Sequence, residues 1–309
     1  MSIREIKYRS PSVMKVKTEI MAGVTTFLTM SYILAVNPDI LSAASMDRGA
    51  VFTATALAAF FATLVMAIWA KLPFALAPGM GLNAFFAFTL VQGMGYSWES
   101  ALAAVFIEGL VFILLTVFNI RELIVNAIPE TLRHAISVGI GLFIAFLGLQ
   151  KAGLIVANPA TFVSLGEFTP STLLAVGGII IGGVLVARKV KGALFYAIVA
   201  VTLLSIPLGI TRISEGFSLV SMPHSLEPVF FKLDFHSLLS PNMLIAIFSL
   251  VFMDIFDTLG TLVGTANKVG MVKPDGSIPK LKPAMMADAV GTTVGALLGT
   301  STTTTYAES

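Results

Sequence analysis

The chain has 309 residues, 56% of them hydrophobic and 12% charged, with a formal net charge of +2 and a mean hydropathy of +0.92. That balance excludes an ordinary water-soluble domain and makes a multi-span membrane protein the expectation, because apolar windows of about 20 residues, enough to cross a bilayer core about 30 Å thick, recur along it. The lack of cysteine excludes disulfides, iron–sulfur ligation and thiol catalysis; His134, His224 and His236 are too scattered for a metal site, and no basic, aromatic-interleaved patch points to nucleic acid.

The N-terminal stretch MSIREIKYRSPSVMKVKTEI is too long and too charged for a cleavable signal peptide and reads as a cytoplasmic leader. Spans follow at about 20–36, 50–70, 72–92, 98–118, 134–150, 172–187, 192–210, 242–263 and 284–299, with a tenth beginning near Gly299. With the N-terminus inside, fifteen of the 19 lysines and arginines fall on the inner side; only Arg48, Lys151, Arg212 and Lys232 lie outside. This excess fixes the expected orientation as a multi-pass protein of the cell (inner or plasma) membrane, N-terminus cytoplasmic.

Two spans cannot be plain helices. The third, LPFALAPGMGLNAFFAFTLVQ, carries Pro73, Pro78, Gly79 and Gly81 in its first half, where each proline removes a backbone donor and favours extended backbone. The tenth opens as GTSTTTTYAES, a run of weak helix formers with good strand propensity. Irregular backbone at membrane depth is tolerated only inside protein or beside a water-filled cavity, so both segments are expected to be interior.

The spacing suggests an internal repeat. Leu28 to Asn83 and Met253 to Glu308 are equal separations, and seven spans lie between the first and the eighth, so a second copy would run inverted. Paired broken helices in inverted repeats point to a binding site where the breaks meet near the midplane.

The strongest functional signal is SLVFMDIFDTLGTLVG, residues 249–264, where Asp254 and Asp257 sit within an apolar span. An aspartate at the centre of a spanning helix costs about 2.5 to 3.5 kcal/mol on insertion scales, and the i, i+3 spacing puts both on one face, which must look into the bundle. Desolvation and repulsion oppose ionising both, so the pair is suited to carrying a proton. Glu308 joins them through the tenth span and Asn83 through the third. Glu108, alone in a regular helix, reads as a structural hydrogen-bonding group or a proton relay, and Asp288, near the start of the ninth span, as interfacial. Phe85 and Phe86 are candidate stacking partners for a flat ligand, and Thr25, Thr26 and Thr29 are expected to bond back to their own helix.

A cavity lined by carboxylates and an asparagine repels anions and accepts N–H donors, so the expected ligand is neutral or cationic and donor-rich. A purine base fits, its ring and exocyclic N–H groups matching the two oxygens of a carboxylate.

Four motifs, AGVTTFLTMSYILAVNP (22–38), ALAPGMGLNAFFAF (75–88), FMDIFDTLGTLVG (252–264) and GTSTTTTYAES (299–309), resemble the adenine/guanine/hypoxanthine permeases, the AzgA-like branch of the nucleobase-cation symporter (xanthine/uracil permease) family. The resemblance implies an all-α polytopic fold of fourteen spans in two inverted sevens, with core and gate domains and short strands in spans three and ten. It implies core residues 1–119 (spans 1–4), a gate segment at 120–236 (spans 5–7) and a second core half at 237–309 (spans 8–10), where the chain stops just inside span ten, short of the family's full length. It implies proton-coupled purine uptake with no enzymatic activity and no cofactor beyond the coupling H+, the lipid bilayer as surroundings, and leaves homo-oligomerisation open. By position, Asn83 and Glu308 match the family's base-contacting residues, and Asp254 and Asp257 match its span-eight acids.

The expected function is a purine permease working by alternating access, with Asp254, Asp257 and Glu308 holding the base and proton and Asn83 orienting the base. An anion carrier of the sulfate permease type would leave helix N-termini or a basic group free for its ligand, and the acids oppose that. An intramembrane aspartyl protease needs two aspartates facing each other across a cleft, not a pair on one helix face.

Overall fold

A computed structural model describes residues 16–118, 130–190, 192–211, 221–271 and 278–306. The first span runs as α1 (Val16–Met30) and α2 (Ile33–Ser42), broken at Ser31–Tyr32. Just before the break, the Thr29 hydroxyl donates to the Thr25 and Thr26 carbonyls and Ser31 to the Leu28 carbonyl, back-bonds that compete with the helical ladder and bend it. The span reaches Ser42, six residues past its expected end: Pro38 does not stop the helix, because burial of Ile40 and Leu41 sustains the last turn beyond it.

Helix α3 (Arg48–Val65) starts at an N-cap where the Asp47 carboxylate takes the Ala50 N–H at 2.7 Å, and ends in a π-helical turn, Met66–Ala70. The proline- and glycine-rich third span then forms β1 (Leu76–Pro78) and the short α4 (Met80–Ala84), which continues as a π-helix over Phe85–Gly93. Helix α5 (Trp98–Val117) begins at Ser97, whose hydroxyl caps Ser100 N–H. After α6 (Glu130–Lys151) comes a hairpin that sequence reasoning missed, β2 (Ile155–Asn158) and β3 (Phe162–Leu165), turned by the Asn158 side chain, which accepts from Ala160 and Thr161 N–H. Helices α7 (Pro170–Ala187), α8 (Ala193–Ser205), α9 (Pro241–Lys268) and α10 (Leu281–Leu298) follow, and Gly299 at φ +94° ends α10 and turns the chain into β4 (Thr303–Thr305).

Among the described residues, the stretches Thr18–Ser42, Arg48–Ala70, Trp98–Val117, Pro170–Ala187 and Pro241–Ala266 are long and apolar enough to cross a membrane. Leu110, Leu114, Ile180 and Phe248 are among their exposed large apolar side chains, as a lipid-facing surface requires. The protein is therefore a helical polytopic membrane protein, with strands of three or four residues among the described residues.

The core gathers around α10, which packs against α5 and α3, while α9 packs against α5. Helices α7 and α8 pack chiefly on each other; α6 touches α9 and α4, and α1 touches α8. Polar contacts tie some of the span ends together. Arg48 and Lys151, both assigned to one side, converge on Asp39 at 3.0 and 3.7 Å; Lys282, assigned to the other, donates to the Val117 carbonyl.

Candidate functional site

The two broken spans meet. Strands β1 and β4 pair antiparallel, Leu76 with Thr305, Ala77 with Thr304 and Pro78 with Thr303, and the Gly79 N–H extends the ladder to the Thr302 carbonyl at 2.9 Å. Pro78, which cannot donate to a ladder, stands at the end of the short β1, and its carbonyl is taken by the Tyr306 hydroxyl at 2.7 Å. The Thr63 hydroxyl contacts both the N–H and the carbonyl of Leu76, so the far edge of β1 is satisfied by a side chain of α3. Both segments are buried, as their irregular backbone at membrane depth demands.

The segment Thr300–Thr304 is gripped residue by residue from five spans. Asn37 of α2 donates to the Thr300 hydroxyl at 2.8 Å, and Ser301 donates to the amide oxygen of Asn83 on α4. Thr302 donates to Glu108 of α5 at 2.8 Å, and the backbone of Thr303 exchanges two bonds with the Thr292 hydroxyl of α10. The Thr304 hydroxyl lies 3.4 Å from that of Thr258 on α9 and also donates to the Asp257 carboxylate. Threonine and serine suit this segment because each carries a side-chain donor as well as an extended backbone.

Behind the strand pair lies an acidic cluster. Asp254 and Asp288 are fully buried, and the Thr258 hydroxyl stands 3.1 Å from Asp254 Oδ1 and 2.8 Å from Asp288 Oδ2. Asp288 is therefore not interfacial: it lies two turns into α10, on the face packed toward α9. A polar chain thus runs from Asp288 through Thr258 and Thr304 to Asp257.

Asp257 differs from Asp254 in being partly accessible. It lies beside the N-terminus of α4, where a Cβ added at Gly79 would come within 2.7 Å of the Thr304 methyl and 3.4 Å of Asp257 Oδ2. Glycine is what lets the two broken segments and this carboxylate approach so closely.

The structure brings Asn83, Asp254 and Asp257 to the strand junction, while Glu308 lies outside the described residues. Asn83 is fully buried, its amide donating to Asn37 at 2.6 Å and accepting from Ser301. Phe86 is fully buried in the packing around α5 and α9, so it presents no face to a ligand; Phe85 is half-buried against the same cluster. Thr25 and Thr29 do bond back to their own helix. Sequence reasoning missed Asn37, Thr258, Thr292 and the Ser301–Thr302 pair. Asn37 carried the best available signal, an amide in an apolar span, bound here to Thr55, Thr300 and Asn83.

Two clefts lie away from these acids. One of about 620 Å³ runs between α1 and α3 and is mostly apolar, with Phe27, Phe60 and Leu64 among its walls. The other, of about 700 Å³, lies at the Arg48 and His224 end of the bundle.

A family profile described as Permease family (Xan_ur_permease) matches residues 17–309. A protein of Methanocaldococcus jannaschii named as a permease is 51% identical, covering 95% of this chain and 67% of its own length. Adenine permease AdeP of Escherichia coli is 43% identical over 95% of this chain and 65% of its own, and guanine/hypoxanthine permease PbuG of Bacillus subtilis 43% over 95% and 69%. The chain thus spans about two thirds of the length of these relatives. Among solved structures, the transmembrane domain of the cyanobacterial bicarbonate transporter BicA matches with a TM-score of 0.64 over 96% of this chain and 76% of that one, at 17% identity, so the two share a fold. Broken spans paired through short strands, an apolar exterior and a family match along almost the whole chain lead to one assignment: this chain belongs to the Xan_ur_permease family, and it is a membrane transport protein, not an enzyme.

Proposed function

We propose that this chain is part of a proton-coupled importer of purine nucleobases that works by alternating access. The observation that carries the reading is the placement of Asp257, a half-buried residue whose carboxylate lies beside Gly79 and Thr304 where the two broken spans meet. A carboxylate there accepts adjacent ring and exocyclic N–H donors and repels anions, so a purine suits it better than the anion of a sulfate-type carrier. Relatives named as adenine and guanine/hypoxanthine permeases support the substrate class.

Asp257 and Glu308 are the residues we assign to the base. Asp254 and Asp288 are suited to the proton: one hydroxyl proton on Thr258 serves only one of two carboxylates at a time, and the second contact is a hydrogen bond only when a carboxyl carries the donor. In this reading residues 1–119 and 237–309 form the core and 120–236 the gate, which the sparse packing of α7 and α8 on the core favours. The order helix, helix, strand recurs as α1–α2, α3, β1 and α9, α10, β4, in keeping with an inverted repeat. The excess of basic residues in the segments assigned to that side favours a cytoplasmic N-terminus.

The test is uptake of labelled adenine and hypoxanthine by cells carrying the intact gene, in competition with unlabelled bases, at several external pH values and with the proton gradient collapsed. Saturable uptake that falls on collapse is expected; gradient-independent uptake removes the coupling, and no purine uptake removes the substrate class.

A further inference from the structure

Glu108 is an acid in a place where three neighbouring contacts to the same segment are made by neutral groups. Thr300, Ser301 and Thr303 are held by an amide, an amide and a hydroxyl, from Asn37, Asn83 and Thr292. Thr302, like Thr304 on Asp257, is held by a carboxyl, through Glu108 Oε2 at 2.8 Å, and Glu108 is completely buried in a membrane span away from that acid pair. A group so costly to insert, used where a neutral acceptor would serve, calls for a role that depends on the strength of its bond.

That bond leads to the substrate site. The Thr302 carbonyl receives the Gly79 N–H at 2.9 Å, and Gly79 opens α4 beside Asp257 Oδ2. Glu108 is anchored in turn: a Cβ on the adjacent Gly109 would lie 2.4 Å from Thr293 Oγ1 and 2.9 Å from its backbone nitrogen, so α5 and α10 are in backbone contact at this level. The carboxyl therefore projects from a fixed point onto Thr302, and Thr302 fixes where α4 begins.

We propose that Glu108 is a positioning residue for the purine site, acting through Thr302 and Gly79 on the geometry around Asp257. It does not touch the base. This rests on the purine-transport reading given above.

The experiment measures KM and maximal rate of adenine uptake, normalised to the amount of tagged protein in the membrane, for Glu108→Ala, Glu108→Gln, Thr302→Val and the double variant Glu108→Ala/Thr302→Val. Loss of one charge-assisted bond should raise KM about tenfold or more, with the maximal rate per transporter little changed. Glu108→Gln keeps an oxygen acceptor but loses the charge, so its KM should fall between those of the parent and Glu108→Ala. Because the two residues act through one bond, the double variant should be no worse than Glu108→Ala alone. An unchanged KM, a fall confined to the maximal rate or the protein level, or multiplying effects in the double variant would overturn the proposal while leaving purine transport intact. A parent protein that takes up no purine removes the functional reading, and this role with it.

Discussion

Asp254 and Asp288, carried on two helices and more than thirty residues apart, lean on the same hydroxyl, that of Thr258, at 3.1 and 2.8 Å. The contact welds α9 to α10 with polar groups in a fully buried position, where an unmade hydrogen bond is expensive.

Replacing Thr258 with valine keeps the shape and removes the shared donor. The variant should lose about 1 to 3 kcal/mol of stability, read as a lower unfolding midpoint in detergent, while Thr258→Ser stays close to the parent. A valine variant as stable as the parent would show that the hydroxyl does not join the helices.

Asp257→Asn removes the carboxylate of a half-buried residue at the strand junction. Purine affinity should fall by roughly ten- to a hundredfold, the range of one charge-assisted bond, with the protein still present in the membrane. Competition by unlabelled adenine and hypoxanthine measures it; undiminished affinity would move the base elsewhere.

Asn37 satisfies Thr55, Thr300 and Asn83 at once. Asn37→Leu should therefore cost more than a single hydrogen bond, about 2 to 4 kcal/mol, and a cycle with Asn83→Ala should be non-additive, since the two amides share a bond. Denaturation midpoints of the two single variants and the double variant decide this.

Gly109 sits where α5 touches Thr293 of α10, and Gly109→Leu should force the two helices apart. A stability loss of about 1 to 3 kcal/mol or failure to accumulate is expected, while Gly139→Leu, on a helix face with nothing within 4 Å, should be tolerated.

Asp234, in the connection before α9, is held below the usual aspartate range, first by the His236 backbone N–H and then by the Ser100 hydroxyl. A depressed folded pKa means that its contribution is complete above the unfolded value of about 3.9 and is lost as pH falls through the lower folded value. The tie between this connection and the start of α5 should therefore persist at pH 4 and open only in stronger acid. Limited proteolysis across that range, with Asp234→Asn as the reference, reads it out.

Much of the frame was legible locally. Apolar length marked the spans, and Pro73, Pro78 and the threonine run marked the two that break, because proline and β-branched residues act on their own backbone. Asn37 and Thr300 were not legible as partners, since they lie 263 positions apart and nothing in either local pattern names the other. Asp288 was misplaced because Lys280, Lys282 and Pro283 just before it read as a membrane boundary, whereas α10 is already helical at Leu281 and carries the acid two turns inward. Phe86 looked available because aromatic content says nothing about facing, and the turn of the π-helix points it into the packing. The hairpin at Ile155–Leu165 is too short and too exposed to stand out from a loop in composition alone.

Pairing Leu76 with Thr305 also sets an order on biogenesis. A ribosome moving at about 5 to 20 residues per second needs on the order of 10 to 50 s to travel from one partner to the other. Throughout that interval the nascent third span carries backbone groups in lipid with no strand to receive them. The early half must therefore wait in the bilayer shielded by water, a chaperone or a provisional fold, and the strand junction closes only once Thr305 has been made.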